Sequence, residues 1–253
     1  MSELIEIKQE LPTYKEDFKE NSDWLKYETE HYVFYYFPHT VAEKEISQIS
    51  KTQEIGFKKI VDFLGTPVPK RKIIYYLYPD AKIKKELMGD DWYAQSILKD
   101  FIVHVLYTKD IKPVSEHEDT HLLSLPWGLS IALFQEGLAE YMVGHGWHGE
   151  NHDKLAKKAL KKGILPTIES MMEHKKWQEF DDDNALYYYC FVGSFTKFLI
   201  EKYGVEKFKA LYKNTRESYT KEQNTDVFKN VYGSGPEEVG NDWKKYLDDT
   251  KIY

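Results

Sequence analysis

Cysteine is almost absent: Cys190 is the only one in 253 residues, which excludes an intramolecular disulfide framework and leaves the redox compartment open. Surplus positive charge is also missing. The 35 lysines and arginines stand against 42 acids, a formal net charge of −7. Lysines are interleaved with acids along the chain, so no basic stripe is offered to nucleic acid and no polybasic segment to anionic lipid. No uninterrupted apolar run reaches membrane-spanning length, and Met1-Ser2-Glu3-Leu4-Ile5-Glu6-Ile7 has neither a basic start nor a continuous apolar stretch. The chain as it stands is expected to be cytoplasmic, or secreted if a leader has been removed. There is no internal repeat and no low-complexity tract. What is present is a composition 42% hydrophobic and 15% aromatic, enough to bury a sizeable core in one domain or in two closely packed lobes.

Strand and helix signals alternate through the first half. His31-Tyr32-Val33-Phe34-Tyr35-Tyr36-Phe37, dense in β-branched and aromatic residues and closed by Pro38, is the first strand. Thr40 is a good N-cap for a long helix, whose apolar positions Ile46, Ile49, Ile55, Phe57, Ile60 and Phe63 form a stripe packing on a sheet; Gly65 ends it before Pro67. A strand over 72–78, a short helix over 81–88 and a strand over 101–107 follow. Between the last two, residues 92–97 form a short edge strand able to pair with an extended peptide by strand addition. Pro113 suits the first turn of a helix, and beyond it the pattern is helical over 114–123, 129–143, 152–162, 168–174, 185–203, 205–213, 221–231 and 237–247, broken at Gly204 and Gly233-Ser234-Gly235-Pro236. The expected class is α+β in a single domain. A mixed-sheet lobe over about 24–124 carries the active-site helix, an all-helical lobe over about 125–250 follows, and the site is expected in the cleft between them.

The chemistry concentrates in His117-Glu118-Asp119-Thr120-His121. Positions four apart on a helix of ~3.6 residues per turn lie on one face, so two imidazoles can grip a single ion from neighbouring turns. The carboxylate after the first histidine projects beside that ion and can take a proton from its water, the division of labour that H-E-x-x-H encodes. Catalytic zinc wants three protein ligands and one open position. The third is expected from Glu136, in the apolar run that includes Leu129, Ile131, Ala132, Leu133, Leu138, Ala139 and Met142, where a carboxylate needs a partner. Glu140, one turn on, suits a group that accepts the outer N–H of a ligating histidine. Taken singly, Glu118 and Asp119 would pass for a solvated acidic face, and Glu136 with Glu140 for an exposed acidic pair; their conjunction at workable spacing favours one site holding one Zn2+ per chain.

Other polar clusters attract a plainer account. His31, His39, His104 and His174 lack a partner at matching spacing and are expected to be structural or surface groups. Cys190 is expected to be a small buried hydrophobe. Asp181-Asp182-Asp183 lacks the spacing of a calcium loop and is expected to cap the following helix.

Together with Gln135-Glu136-Gly137-Leu138-Ala139-Glu140-Tyr141, the His117–His121 run resembles the gluzincin metallopeptidases, the thermolysin-like group whose third zinc ligand is a glutamate on a later helix. Among these it is similar to the compact bacterial peptidase MA-like proteins. The resemblance extends to the strand-helix-strand start, the 193–204 segment from Gly193 to Gly204, Tyr232-Gly233 and Trp243-Lys244-Lys245-Tyr246-Leu247, and so covers about Trp24 to Leu247. It implies His117, His121 and Glu136 as zinc ligands, Glu118 as general base and Glu140 as the acid orienting a ligating histidine. Gln135 departs from the asparagine many relatives carry, and the short connection through Pro126-Trp127-Gly128 departs in loop geometry. Attack on a carbonyl also needs an oxyanion donor. The resemblance favours Tyr189, by its offset from Ser194, within Tyr187-Tyr188-Tyr189. Packing is the competing account of that triplet, and His145, His148 or His152 around Gly144-His145-Gly146-Trp147-His148-Gly149 is a second source, set against a solvent-exposed loop.

The expected activity is hydrolysis of peptide bonds in a peptide or protein substrate by zinc-activated water. The absence of a Gly-x-Met-Glu-Asn-like segment, used by related aminopeptidases to hold a free amino terminus, tips the expectation to an endopeptidase. Two alternatives stand beside it: a non-catalytic zinc-containing binding protein on a peptidase scaffold, against which the retention of Glu118 argues, and a zinc hydrolase of a non-peptide amide or ester.

Overall fold

Residues 23–113 and 116–250 are described by a computed structural model of the chain. Five strands, β1 (Leu25–Glu28), β2 (Tyr32–Tyr36), β3 (Ile73–Tyr78), β4 (Ala94–Ile97) and β5 (Ile102–Leu106), form one sheet in the order β1-β2-β3-β5-β4. β2, β3 and β5 run parallel, and the two outer strands are antiparallel to their neighbours. Period-two burial turns Tyr32, Phe34, Ile73, Tyr75 and Leu77 inward. β1 was not anticipated: all four of its residues are exposed, so it carries no alternation to read, and it is held by its ladder to β2. The edge strand expected over 92–97 is present over 94–97.

Helix α1 (Val41–Leu64) begins at Thr40, whose hydroxyl accepts from the Glu43 N–H, and ends at Gly65 with φ 60. Its buried stripe is Ile46, Ile49, Gln53, Phe57, Ile60 and Leu64. Ile55, expected on that stripe, is 72% exposed, because it lies ~200° from Gln53 at ~100° per residue; the polar Gln53 holds the position instead. Helix α2 (Ala81–Met88) caps on Asp80 and packs Met88 against Tyr78, Ile97 and Leu106. Behind it Lys84 is fully buried, its ammonium donating to Asp90 at 2.5 Å and to Gln95 at 2.7 Å. Helix α3 (Glu116–Leu123) contacts α1 and β4. Val114 and Ser115, at the expected start of that helix, lie outside the described residues, as does the segment 1–22.

The described residues divide into two compact units, one ending at Pro126 and the other beginning at Trp127. Among its described residues the second is helical: α4 (Ala132–Val143), α5 (His152–Lys162), α6 (Ala185–Tyr203), α7 (Val205–Asn214), α8 (Lys221–Tyr232) and α9 (Pro236–Asp249). α6 is rich in aromatic and β-branched residues, each a few tenths of a kcal/mol poorer than alanine in a helix. Burial of Phe191, Phe195 and Leu199, about 1.5–3 kcal/mol apiece, outweighs that deficit. The start of α4 is three residues later than expected: Ile131, just before it, is extended, and the Ser130 carbonyl accepts from the Gln135 amide at 2.6 Å. Residues 168–174 make 3₁₀ turns rather than one helix; the Met172 carbonyl is drawn off by the Asn224 amide at 3.0 Å.

α4 and α6 pack closely through two glycines. A Cβ at Gly193 would lie 2.8 Å from Glu140 Cβ and 2.9 Å from His152 Nδ1, and one at Gly137 would meet the Thr196 hydroxyl at 2.2 Å and the Val192 carbonyl at 3.0 Å. Gly193→Ala gains up to ~1 kcal/mol of helix propensity but overpacks a site of two buried side chains, at a typical cost of 1–3 kcal/mol. We expect a net loss, read as a fall of several degrees in the thermal midpoint; an unchanged or raised midpoint would mean that α4 and α6 separate freely.

Candidate metal centre

His117 and His121 stand one turn apart on α3, both half-buried, with ring centroids 5.0 Å apart and their Nε2 atoms 3.2 Å apart. The first turn of α3 carries Glu116, Glu118 and Asp119, a sign of charge that suits a helix N-terminus. Leu122 and Leu123 bury the far end. Thr120 donates to the Glu116 carbonyl at 2.6 Å, and Lys59 of α1 reaches the Glu116 carboxylate at 3.0 Å. Glu118, half-buried, lies within electrostatic range of Asp119, Tyr75 and Lys84.

Glu136 is half-buried on α4, where Ala132, Leu133, Phe134, Leu138, Ala139 and Met142 are all buried. One nitrogen from each of His117 and His121 and one carboxylate oxygen of Glu136 lie within 4.8 Å of one another. The donor set suits zinc. Two ligands ~2.0–2.1 Å from a tetrahedral ion are about 3.3 Å apart, and the imidazole nitrogens already have that spacing, at 3.2 Å. Three such groups could hold a metal ion.

Glu140 is buried at 2% exposure, not part of a solvated acidic face, and its Oε2 lies 2.9 Å from His152 Nε2. His152 is the first residue of α5, capped by Asn151, and is itself buried, so it does not belong to the exposed loop that holds His145 and His148. Its neighbour Asp153 accepts from Ser194 at 2.7 Å and Lys197 at 2.8 Å. Tyr189 lies inside α6, half-buried, with its ring 5.5 Å from Trp147 and 5.2 Å from Trp177. Tyr188 donates to Asp181 at 2.8 Å, and the Tyr187 hydroxyl accepts from Lys162 at 3.1 Å. Asp181 also accepts from the Asn184 N–H and so caps the short 3₁₀ turn over 182–184; α6 itself starts after Asn184 with no side-chain cap, so the acidic run does not cap that helix, contrary to expectation.

Asp119, between the two histidines in sequence, was not singled out as a partnered group. It is fully buried and accepts from Tyr32 at 2.5 Å, Tyr75 at 2.6 Å and the Gln53 amide at 2.9 Å. Burial pushes its carboxyl up to about 7 against the opposing pull of the two tyrosine hydroxyls. A signal for it did exist, because position 119 is ~200° around the helix from position 117 and so points away from any ion the imidazoles hold. The remaining histidines behave as structural groups. His31 pairs with Glu54 at 2.6 Å, His174 accepts from the Ala132 N–H at 3.2 Å, and burial, aided by the charge of Lys84, pushes His104 down to about 3, leaving it neutral beside the Tyr78 hydroxyl. Cys190 is buried.

No family model matches the chain, and no curated protein matches it. Among the described residues no helix is long and apolar enough to cross a membrane.

Proposed function

We propose that this chain is a zinc-dependent metallopeptidase of the gluzincin type, acting as an endopeptidase on extended peptide or protein substrates. The observation that carries the proposal is the convergence of donor atoms from His117, His121 and Glu136 with Glu118 next in sequence to the first of them. These three residues would hold one Zn2+. When bound, the ion supplies Lewis acidity, polarising a carbonyl and lowering the pKa of water toward ~7. Glu118 takes the proton from the attacking water and returns it to the leaving nitrogen, so that water adds and the C–N bond breaks with protons balanced. Glu140, whose Oε2 lies 2.9 Å from His152 Nε2, is the proposed acid that orients a ligating histidine.

Substrate class follows from the sheet. β4 is an outer strand of the sheet and lies against α3. It buries Gln95 and Ile97 while Ala94 and Ser96 stay half-exposed, a strand whose free edge offers backbone hydrogen bonds to an extended chain. Cleavage of a diverse peptide library by wild type and by Glu118→Ala, each with and without a chelator, tests the proposal. Internal cleavage that needs both the metal and Glu118 supports it. Zinc binding without hydrolysis at several pH values would favour a binding protein on this scaffold, and hydrolysis restricted to small esters or amides would favour a non-peptide hydrolase.

Tyr189 is the proposed oxyanion donor. Tyr189→Phe removes one hydroxyl without opening a cavity, so kcat should fall roughly 10²–10³-fold with little change in KM, while Tyr187→Phe and Tyr188→Phe change it little. A near-normal kcat in Tyr189→Phe would pass the role to the 145–152 histidines.

A further inference from the structure

We propose that the buried cluster of Asp119, Tyr32, Tyr75 and Gln53 is a positioning device that fixes the rotation of α3 and so presets the two imidazoles for a metal ion; this rests on the metal site proposed above. The four groups come from four elements: Asp119 from α3, Tyr32 from β2, Tyr75 from β3 and Gln53 from α1. All four are buried, three of them donate to the one carboxylate, and the Gln53 amide also reaches the Tyr75 hydroxyl at 3.0 Å. Asp119 stands between His117 and His121 in sequence and nearly opposite both of them around the helix, at ~200° from either.

Geometry makes the consequence large. α3 has eight residues, about two turns, too short to fix its own orientation. With side chains a helix has a radius of roughly 5–6 Å, so a rotation of 20° moves a ligand atom by about 2 Å, whereas a metal site tolerates displacements of about 0.5 Å. Three directional hydrogen bonds to a carboxylate on the opposite face restrain that rotation from two strands and a helix at once. Gly56 of α1 lets the first turn of α3 approach closely, since a Cβ there would lie 3.0 Å from Glu116 Cγ. The 3.2 Å separation of the imidazole nitrogens is then a property of the framework, held ready for the ion.

The test is the zinc dissociation constant of the full chain, measured by chelator competition, together with the visible spectrum of bound Co2+ and the thermal midpoint of the metal-free protein. The variants are Asp119→Asn, Tyr32→Phe and Tyr75→Phe, with Tyr78→Phe as control, because Tyr78 loses a comparable buried hydroxyl whose partner is His104. Removing partners that orient ligands typically weakens metal binding 10–100-fold. The expected result is a loss in that range for Asp119→Asn and about tenfold for each of Tyr32→Phe and Tyr75→Phe, with an altered Co2+ spectrum and a metal-free midpoint no lower than that of Tyr78→Phe, which binds zinc as wild type does. If Asp119→Asn fails to fold, the two tyrosine variants decide. Wild type that binds zinc, with Tyr32→Phe and Tyr75→Phe binding it equally tightly, overturns the positioning role alone. Wild type that binds no zinc overturns the metal site and the positioning role together.

Discussion

Glu118→Gln should lower peptide hydrolysis by ~10²-fold or more, the scale of losing a general base, while zinc content and thermal midpoint stay at the wild-type values. The amide keeps the size of the carboxylate but cannot accept a proton from the attacking water. Glu118 is half-buried on a face of α3 that Asp119 does not share, and it is not among the three groups that could hold a metal ion, so neither the buried carboxylate cluster nor the proposed ligand set is disturbed. The split between turnover and metal content is what identifies the role. A ligand would lose both, a surface acid neither. Turnover retained within a factor of a few, with zinc bound, would assign the proton transfer to another group.

The second large effect is on metal affinity. At a free zinc concentration a thousandfold above the dissociation constant, binding stabilises a protein by about 4 kcal/mol, on the order of 8–16 °C in thermal midpoint for a domain of this size. Glu136→Ala and His121→Ala should each abolish that shift, because the loss of one of three donors leaves an incomplete coordination shell. A full zinc shift in Glu136→Ala would move the third ligand elsewhere, with Glu140 and His145 the next residues to substitute.

Where local signals dominate, the sequence foretold the structure closely. α1 starts and stops at the anticipated Thr40 and Gly65, and α2, α5 and α6 have the bounds that their caps and apolar periods implied. The grouping of His117, His121 and Glu136, which could hold a metal ion, was readable because four-residue spacing and an acid in an apolar helix are themselves local facts. What escaped was set by tertiary partners. Exposed β1 has no pattern of its own. The α1 stripe was misassigned at Ile55 because its true member, Gln53, is polar and is buried with its amide bonded to Tyr75 and Asp119. The pairing of Glu140 with His152 spans twelve positions and joins two helices through a contact that Gly193 permits, none of which a periodicity encodes.

The most direct measurement is a zinc back-titration of the chelator-treated full chain, following bound metal and cleavage of a peptide library in the same samples. Hydrolysis should rise in proportion to zinc and saturate at one ion per chain, and Glu118→Gln should bind the ion equally while remaining ~10²-fold slower. Cleavage that persists in the metal-free protein, or zinc that binds at one per chain with no hydrolysis of any peptide, would contradict the account.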